Sequence, residues 1–289
     1  LKGVIKTGRT HLMDAMPLNM SQELSAWTDQ LESTKESLLK ASDQLLLMPQ
    51  GGTAVGTGIN THPRFSKEFA KEVSKLGKFK AIPSANFFRS LSAQDTSLRL
   101  SGEMRNLATI LMKISNDLRW MNSGPLSGLS EIELKALQPG SSIMPGKVNP
   151  VIPEAVMMVS AEVIGNDSTI TIAAQSGNFQ LNVMLPVIAF KLLESINILS
   201  GAMDVLAKKA IRTFKVKHPN IQHSLNKNPI LVTALNPVIG YSKAAEIAKR
   251  AQKEGRSIKE IALEMTNLSE KKLDFLLDPS RLTKGGINR

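Results

Sequence analysis

Apolar residues in this chain recur at helical spacing over stretches too long for a compact mixed fold. Between Pro17 and Pro49 the positions Met20, Leu24, Trp27, Leu31, Leu38 and Leu45 step by threes, fours and sevens, which places them on one narrow helical stripe. A second pattern runs from about Asn86 to Met121 through Phe87, Leu91, Leu98, Leu107, Leu111, Ile114 and Leu118, with Arg89, Asp95, Arg99, Glu103 and Arg105 on its exposed side. A third begins near Pro153, whose missing N–H costs nothing in a first turn, and runs toward Ala174. A fourth spans about Phe179 to Phe214, and Pro186 is expected to kink it by removing a hydrogen bond and colliding with the preceding turn. Helices of this length need one another's stripes for burial, so the expected fold is all-α, a long-helix bundle.

No alternating strand pattern competes. After His218-Pro219 the texture changes to short helical segments, at about Ile230 to Leu235, Ser242 to Glu254, Ser257 to Met265 and Ser269 to Leu276. The expected organisation is a central bundle domain over 1–218 that carries the polar loops, followed by a small helical C-terminal domain over 219–289.

Composition excludes several classes. At 289 residues, 42% apolar and 21% charged, the chain reads as an ordinary globular protein. No apolar run approaches the roughly twenty residues of a membrane span, and no charged-then-apolar leader is visible, so a soluble, unexported protein is expected; the expected location is the cytoplasm, with the mitochondrial matrix as the alternative if the source is eukaryotic. There is no cysteine, and the four histidines His11, His62, His218 and His223 lack metal-site spacing, so no metal is expected. The net charge of +11 is uneven: residues 201–289 hold 17 Lys and Arg against 8 Asp and Glu, while 1–200 hold 19 against 17. With one Tyr and no aromatic interleaving, the basic excess reads as a solvated face rather than a nucleic-acid or membrane surface.

Residues 140–150, Gly-Ser-Ser-Ile-Met-Pro-Gly-Lys-Val-Asn-Pro, form a polar, glycine-bounded loop with two hydroxyls, an ammonium and an amide. A serine hydroxyl is a base only where its oxyanion is stabilised. Here Lys147, close approach of backbone N–H groups at Gly140 and Gly146, and a helix start just downstream could lower a serine pKa, bind a carboxylate, or both. The competing reading is a helix-connecting turn with capping Ser and Asn. Gly8-Arg9-Thr10-His11 is a second polar turn before a long helix; His11 suits acid or base work near neutrality and Thr10 suits a hydrogen bond to substrate, though a lone histidine there is also an ordinary cap or surface group. Glu154, at the start of the third helix, is favoured by the helix dipole, and if it reaches His11 it would orient the imidazole. Gly51-Gly52-Thr53-Ala54-Val55-Gly56-Thr57-Gly58 lacks the ending and spacing of a phosphate loop and reads as a turn.

Together these motifs resemble one family. The 140–150 loop is similar to the fumarase and aspartase superfamily signature Gly-Ser-Ser-x-x-Pro-x-Lys-x-Asn. Gly-Arg-Thr-His-Leu at 8–12, Gly-Gly-Thr-Ala-Val-Gly-Thr-Gly-Ile-Asn-Thr-His-Pro at 51–63, Ile-Gly-Asn-Asp at 164–167, Ser-Gly-Asn-Phe at 176–179 and Leu-Val-Thr-Ala-Leu-Asn at 231–236 follow in the superfamily's order, through Gly240-Tyr241. The wording at 56–63 and 176–179 most resembles the class II fumarate hydratases, whereas Pro150-Val151-Ile152-Pro153-Glu154 looks more aspartase-like; aspartate ammonia-lyase stays the alternative.

The resemblance implies a helical bundle at the centre of a homotetramer, active sites shared between chains, and reversible hydration of fumarate to L-malate without a cofactor. It implies Ser141 as the base that takes the C3 proton of malate, and Thr10, Ser142, Lys147, Val148 and Asn149 as substrate-binding positions. His11, paired with Glu154, would serve the acid side. It also implies an N-terminal domain with no counterpart in these residues, which alone are expected to be inactive.

Overall fold

The computed structural model describes residues 1–286. In chain order the main elements are strands β1 (Ile5–Thr10) and β2 (Met13–Asn19), helix α1 (Met20–Asp43), strand β3 (Leu47–Met48), helix α2 (Phe65–Gly77), strand β4 (Ile82–Pro83), helices α3 (Phe87–Ser92) and α4 (Asp95–Met121), strand β5 (Ile132–Glu133), helices α5 (Val151–Gln175) and α6 (Leu185–Leu206), strand β6 (Lys215–Val216), and helices α7 (His218–Lys227), α8 (Asn236–Ile239), α9 (Tyr241–Glu254), α10 (Ile258–Met265), α11 (Glu270–Leu277) and α12 (Pro279–Leu282). The fold is all-α in character, with strands that are short and, among the described residues, pair only in twos.

By contacts the chain divides into two units. One comprises Leu1–Thr28, Trp120–Leu134 and the residues from Phe214 on; the other comprises Asp29–Arg119 and Lys135–Thr213. The division expected at 218 thus falls near the second unit's end, but residues 1–28 and 120–134 cluster with the C-terminal part. The reason is hydrogen bonding: Asn228 reaches the carbonyl of Ala15, Asn220 donates to that of Ser130, and β5 pairs antiparallel with β6.

The second unit is built on three long helices. Leu100, Met104, Leu107, Leu111, Ile114 and Leu118 are buried on α4; Val156, Val163 and Ile170 on α5; Ile188, Leu192, Leu199 and Leu206 on α6. Each set steps by three, four or seven, the single stripe of a bundle helix. Two polar clusters inside the bundle are paired. The Ser101 hydroxyl donates to buried Asp167 at 2.6 Å, Arg105 donates to its other oxygen at 2.7 Å, and buried Asn166 donates to Glu194 and Ser195. The hydrogen bond from Lys191 holds the Glu194 carboxyl below the usual glutamate range.

Two sequence expectations change here. The pattern from Asn86 to Met121 is two helices, because Ala93 is extended; the Gly177 Cα lies so near Ser92 that an added Cβ would sit 2.2 Å from its carbonyl oxygen, and Asn182 N–H donates to Leu91 at 3.0 Å. The fourth helix starts at Leu185 rather than 179, with Pro186 in its first turn, where no N–H is needed, so it starts the helix instead of kinking it. Buried Asn182 makes that junction by donating to the Ala173 and Ala174 carbonyls at the end of α5 and accepting from Met184 N–H.

A third expectation concerned membranes. The helical run Leu185–Ile211, which ends in a π-helical turn over Ala207–Ile211, is 27 residues long and apolar enough to cross one by length and composition. Isolated Lys191, Glu194 and Asp204 hid this from a search for unbroken apolar runs.

In the first unit β1 and β2 form an antiparallel hairpin that the alternation test missed. Adjacent Lys6 and Thr7, on opposite faces of β1, are both buried and both polar, so the strand does not alternate apolar with polar. Its turn, His11-Leu12, lacks glycine and asparagine although both residues have positive φ, 54° and 61°. Two such residues mark a type I′ turn, which normally selects Asn-Gly. Leu12→Gly is therefore expected to raise stability by roughly 0.5–1 kcal/mol, the left-handed strain of leucine partly offset by glycine entropy; equilibrium urea unfolding checks it, and a lower midpoint would contradict it.

The C-terminal segments form where the periodicity places them, with Pro229–Leu235 as a 3-10 helix. Leu235, Ile247, Ile261, Leu273 and Leu276 make their core. Ser257 and Glu260 cap α10 reciprocally.

Candidate active site

The loop before α5 is closed by its own backbone. Gly140 N–H donates to the Lys147 carbonyl at 2.9 Å, and the Asn149 amide donates to the Gly140 carbonyl at 2.9 Å. Position 140 must be glycine, since a Cβ there would lie 2.4 Å from the Lys147 oxygen. Gly146 supplies the reversal with φ of 84°, where other residues are strained. The loop leads straight into α5, with Val151 N–H bonded to Asn149 and Glu154 N–H to Pro150.

Inside this ring the Ser141 Oγ accepts from two backbone amides, Ile143 N–H at 3.2 Å and Met144 N–H at 3.1 Å. Donors aimed at an oxygen favour its anionic form over its neutral one. Ser141 is half-buried, Asn149 likewise, and Ser142, Lys147 and Val148 are exposed. Among the described residues no carboxylate lies within ion-pair distance of Lys147, which leaves its charge available to an incoming anion. Glu154 sits half-buried in the first turn of α5.

The predicted residues thus fall into two groups. Ser141, Ser142, Lys147, Val148, Asn149 and Glu154 share one loop and helix start in the second unit. Thr10 and His11 are exposed at the end of the β1–β2 hairpin in the first. The glycine-rich stretch at 51–58 is a turn: added Cβ atoms at Gly51, Gly52 and Gly56 would each lie 2.8 Å from the side chains of Ser66, Phe87 and Phe88, respectively.

Sequence reasoning missed the groups behind the hairpin. Buried Lys6 contacts Glu131 at 2.6 Å and Glu23 at 2.9 Å, and Arg9 contacts the other Glu131 oxygen at 2.7 Å. Lys6 and Arg9 lie more than a hundred residues from Glu131 in sequence, so no spacing rule finds the cluster. The one available signal was two cations flanking Thr7-Gly8 in a segment otherwise free of a helical pattern.

The chain matches the family model described as Lyase over residues 1–165 and the one described as Fumarase C C-terminus over 231–284. It is 58% identical over 286 residues to a Pseudomonas aeruginosa protein named Fumarate hydratase class II 2, covering 98% of this chain and 62% of that protein. It is 57% identical over 288 residues to a Fumarate hydratase class II of Xylella fastidiosa, covering 100% and 61%. The crystal structure of recombinant class II fumarase from Schistosoma mansoni superposes with a TM-score of 0.92 at 37% identity, over 97% of this chain and 62% of that one. The chain therefore spans about three fifths of the length of these relatives. With a self-closed Gly-Ser-Ser loop at the head of a bundle helix and a family model matched over more than half its length, the chain belongs to the lyase family that includes the class II fumarate hydratases.

Proposed function

We propose that the whole protein, this chain together with the N-terminal domain its relatives carry, interconverts fumarate and L-malate. The observation that carries this reading is the Ser141 hydroxyl accepting two backbone N–H bonds inside the closed 140–149 loop. Removing the C3 proton of malate places charge beside a carboxylate, so the transition state resembles a dianionic aci-carboxylate that needs preorganised donors. Ser141 as alkoxide takes the proton. The Lys147 ammonium and loop N–H groups face the growing charge, together with the Asn149 amide hydrogen not spent on Gly140. Thr10, Ser142 and Val148 complete the carboxylate contacts. Hydroxide then leaves C2 with a proton supplied from the side of His11, oriented by Glu154.

The apolar outer face supports assembly of this chain with copies of itself into a tetramer that shares its sites. Met158, Ile172, Phe190, Leu193 and Ile196 are exposed on α5 and α6. The same face accounts for the apolarity of Leu185–Ile211 without a membrane, in keeping with a cytoplasmic enzyme.

Full-length protein is expected to dehydrate L-malate, followed by fumarate absorbance, and to release no ammonia from L-aspartate. Aspartate deamination without malate turnover would reverse the assignment.

A further inference from the structure

The hairpin that bears Thr10 and His11 is irregular in its middle. Thr7 pairs with Pro17, but Arg9 pairs with Asp14, so β2 carries one extra residue between these pairs. A bulge of this kind bends the strand and re-aims whatever lies beyond it. Gly8 opposes the bulge, where a Cβ would come within 2.6 Å of the Met16 carbonyl. Beyond it the turn holds two left-handed residues, so the distal half stores strain that the rest must resist.

One side chain grips both strands at this point. Asn228, 1% exposed, donates from Nδ2 to the Ala15 carbonyl at 2.8 Å within the bulge and to Thr7 Oγ1 at 3.4 Å on the facing strand. Its Oδ1 accepts from Ile230 N–H at 2.9 Å, which fixes the amide's orientation, since the nitrogen cannot accept. Its own backbone is bonded on both sides, N–H to Leu225 and carbonyl from Leu231. Every direction in which this carboxamide could turn is thus held.

We propose that Asn228 is a positioning residue: it clamps the bulge from the C-terminal segment and so sets the direction in which the hairpin presents Thr10 and His11. This rests on the reading above that these two residues face substrate. A loose clamp would leave the tip folded but misaimed, and a misplacement of about 1 Å costs about a hundredfold in rate.

Four full-length variants test it: Asn228→Leu, Asn228→Asp, His11→Ala and Ile247→Ala. Asn228→Asp keeps the size of the side chain and its acceptor for Ile230 but turns an oxygen toward the Ala15 carbonyl, so it separates the clamp from packing. Both Asn228 variants are expected to speed amide hydrogen exchange across residues 5–19 by at least about tenfold while residues 241–277 keep their protection. kcat should fall roughly ten- to a hundredfold with KM within about threefold. Ile247→Ala, which empties part of the C-terminal core, should loosen 241–277 and leave kcat alone. Unchanged exchange at 5–19 in Asn228→Asp overturns the clamp. A loosened hairpin with full kcat, while His11→Ala is inactive, overturns the positioning role. Should His11→Ala also keep full turnover, the reading of the hairpin's chemistry fails first and the positioning role falls with it, a distinct result because exchange is measured without turnover.

Discussion

Ser141→Ala in the full-length protein is expected to lower kcat for malate dehydration by about 10²- to 10⁴-fold, the range for loss of a general base. Thermal stability should hardly change. The hydroxyl is half-buried in a loop closed by other groups, the Gly140–Lys147 and Asn149–Gly140 hydrogen bonds, neither of which uses it. The two N–H groups it leaves behind, on Ile143 and Met144, belong to exposed residues that water can reach. KM should move much less than kcat, because the proton is transferred only in the transition state. Steady-state kinetics and a thermal melt on the same sample decide the matter: retained kcat in a folded variant removes Ser141 from the chemistry.

Glu131→Ala is expected to produce the largest loss of stability. Lys6 and Glu131 are 2% and 3% exposed, 2.6 Å apart, and Arg9 uses the second carboxylate oxygen. Truncating the carboxylate leaves the Lys6 ammonium buried with only partly exposed Glu23, and places Arg9 beside it without a counter-charge. Breaking such a pair costs about 3–5 kcal/mol, a fall of about 10 °C in melting temperature for a chain of this size. The pair itself is worth far less than its rupture, because both ions surrendered hydration to form it. Glu131→Leu combined with Lys6→Met should therefore recover part of the loss, the share that does not come from Arg9, whereas either single change should not. Thermal melts followed by circular dichroism check this; a fall under about 1 kcal/mol for Glu131→Ala would show the cluster to be solvated.

Much of the second unit could be read directly, because a helix repeats every 3.6 residues and its buried stripe is written in local spacing. The α4 residues Leu107, Leu111, Ile114 and Leu118 were on the expected face and are buried. Boundaries were less legible where a distant backbone intervenes. The break before α4 depends on Gly177 and Asn182, and nothing near Ala93 announces them. Pro186 could be assigned to a kink or a start only once Asn182 was seen to end α5 nearby. The hairpin was invisible for a different reason: its turn carries His and Leu, and its inner face carries Lys6, a residue that is buried only because Glu131 and Glu23 neutralise it.

By itself, the sequence determined the helical class, the short C-terminal helices and the composition of the 140–150 loop, since periodicity, capping and motif spacing are all properties of neighbours along the chain. Tertiary structure alone decided that residues 1–28 cluster with the C-terminal part, that Ser141 accepts two amides, and that Asn228 grips the hairpin's bulge. Those depend on hydrogen bonds and ion pairs that act over about 3 Å in space, a range set by contact distance and blind to how many residues lie between the partners.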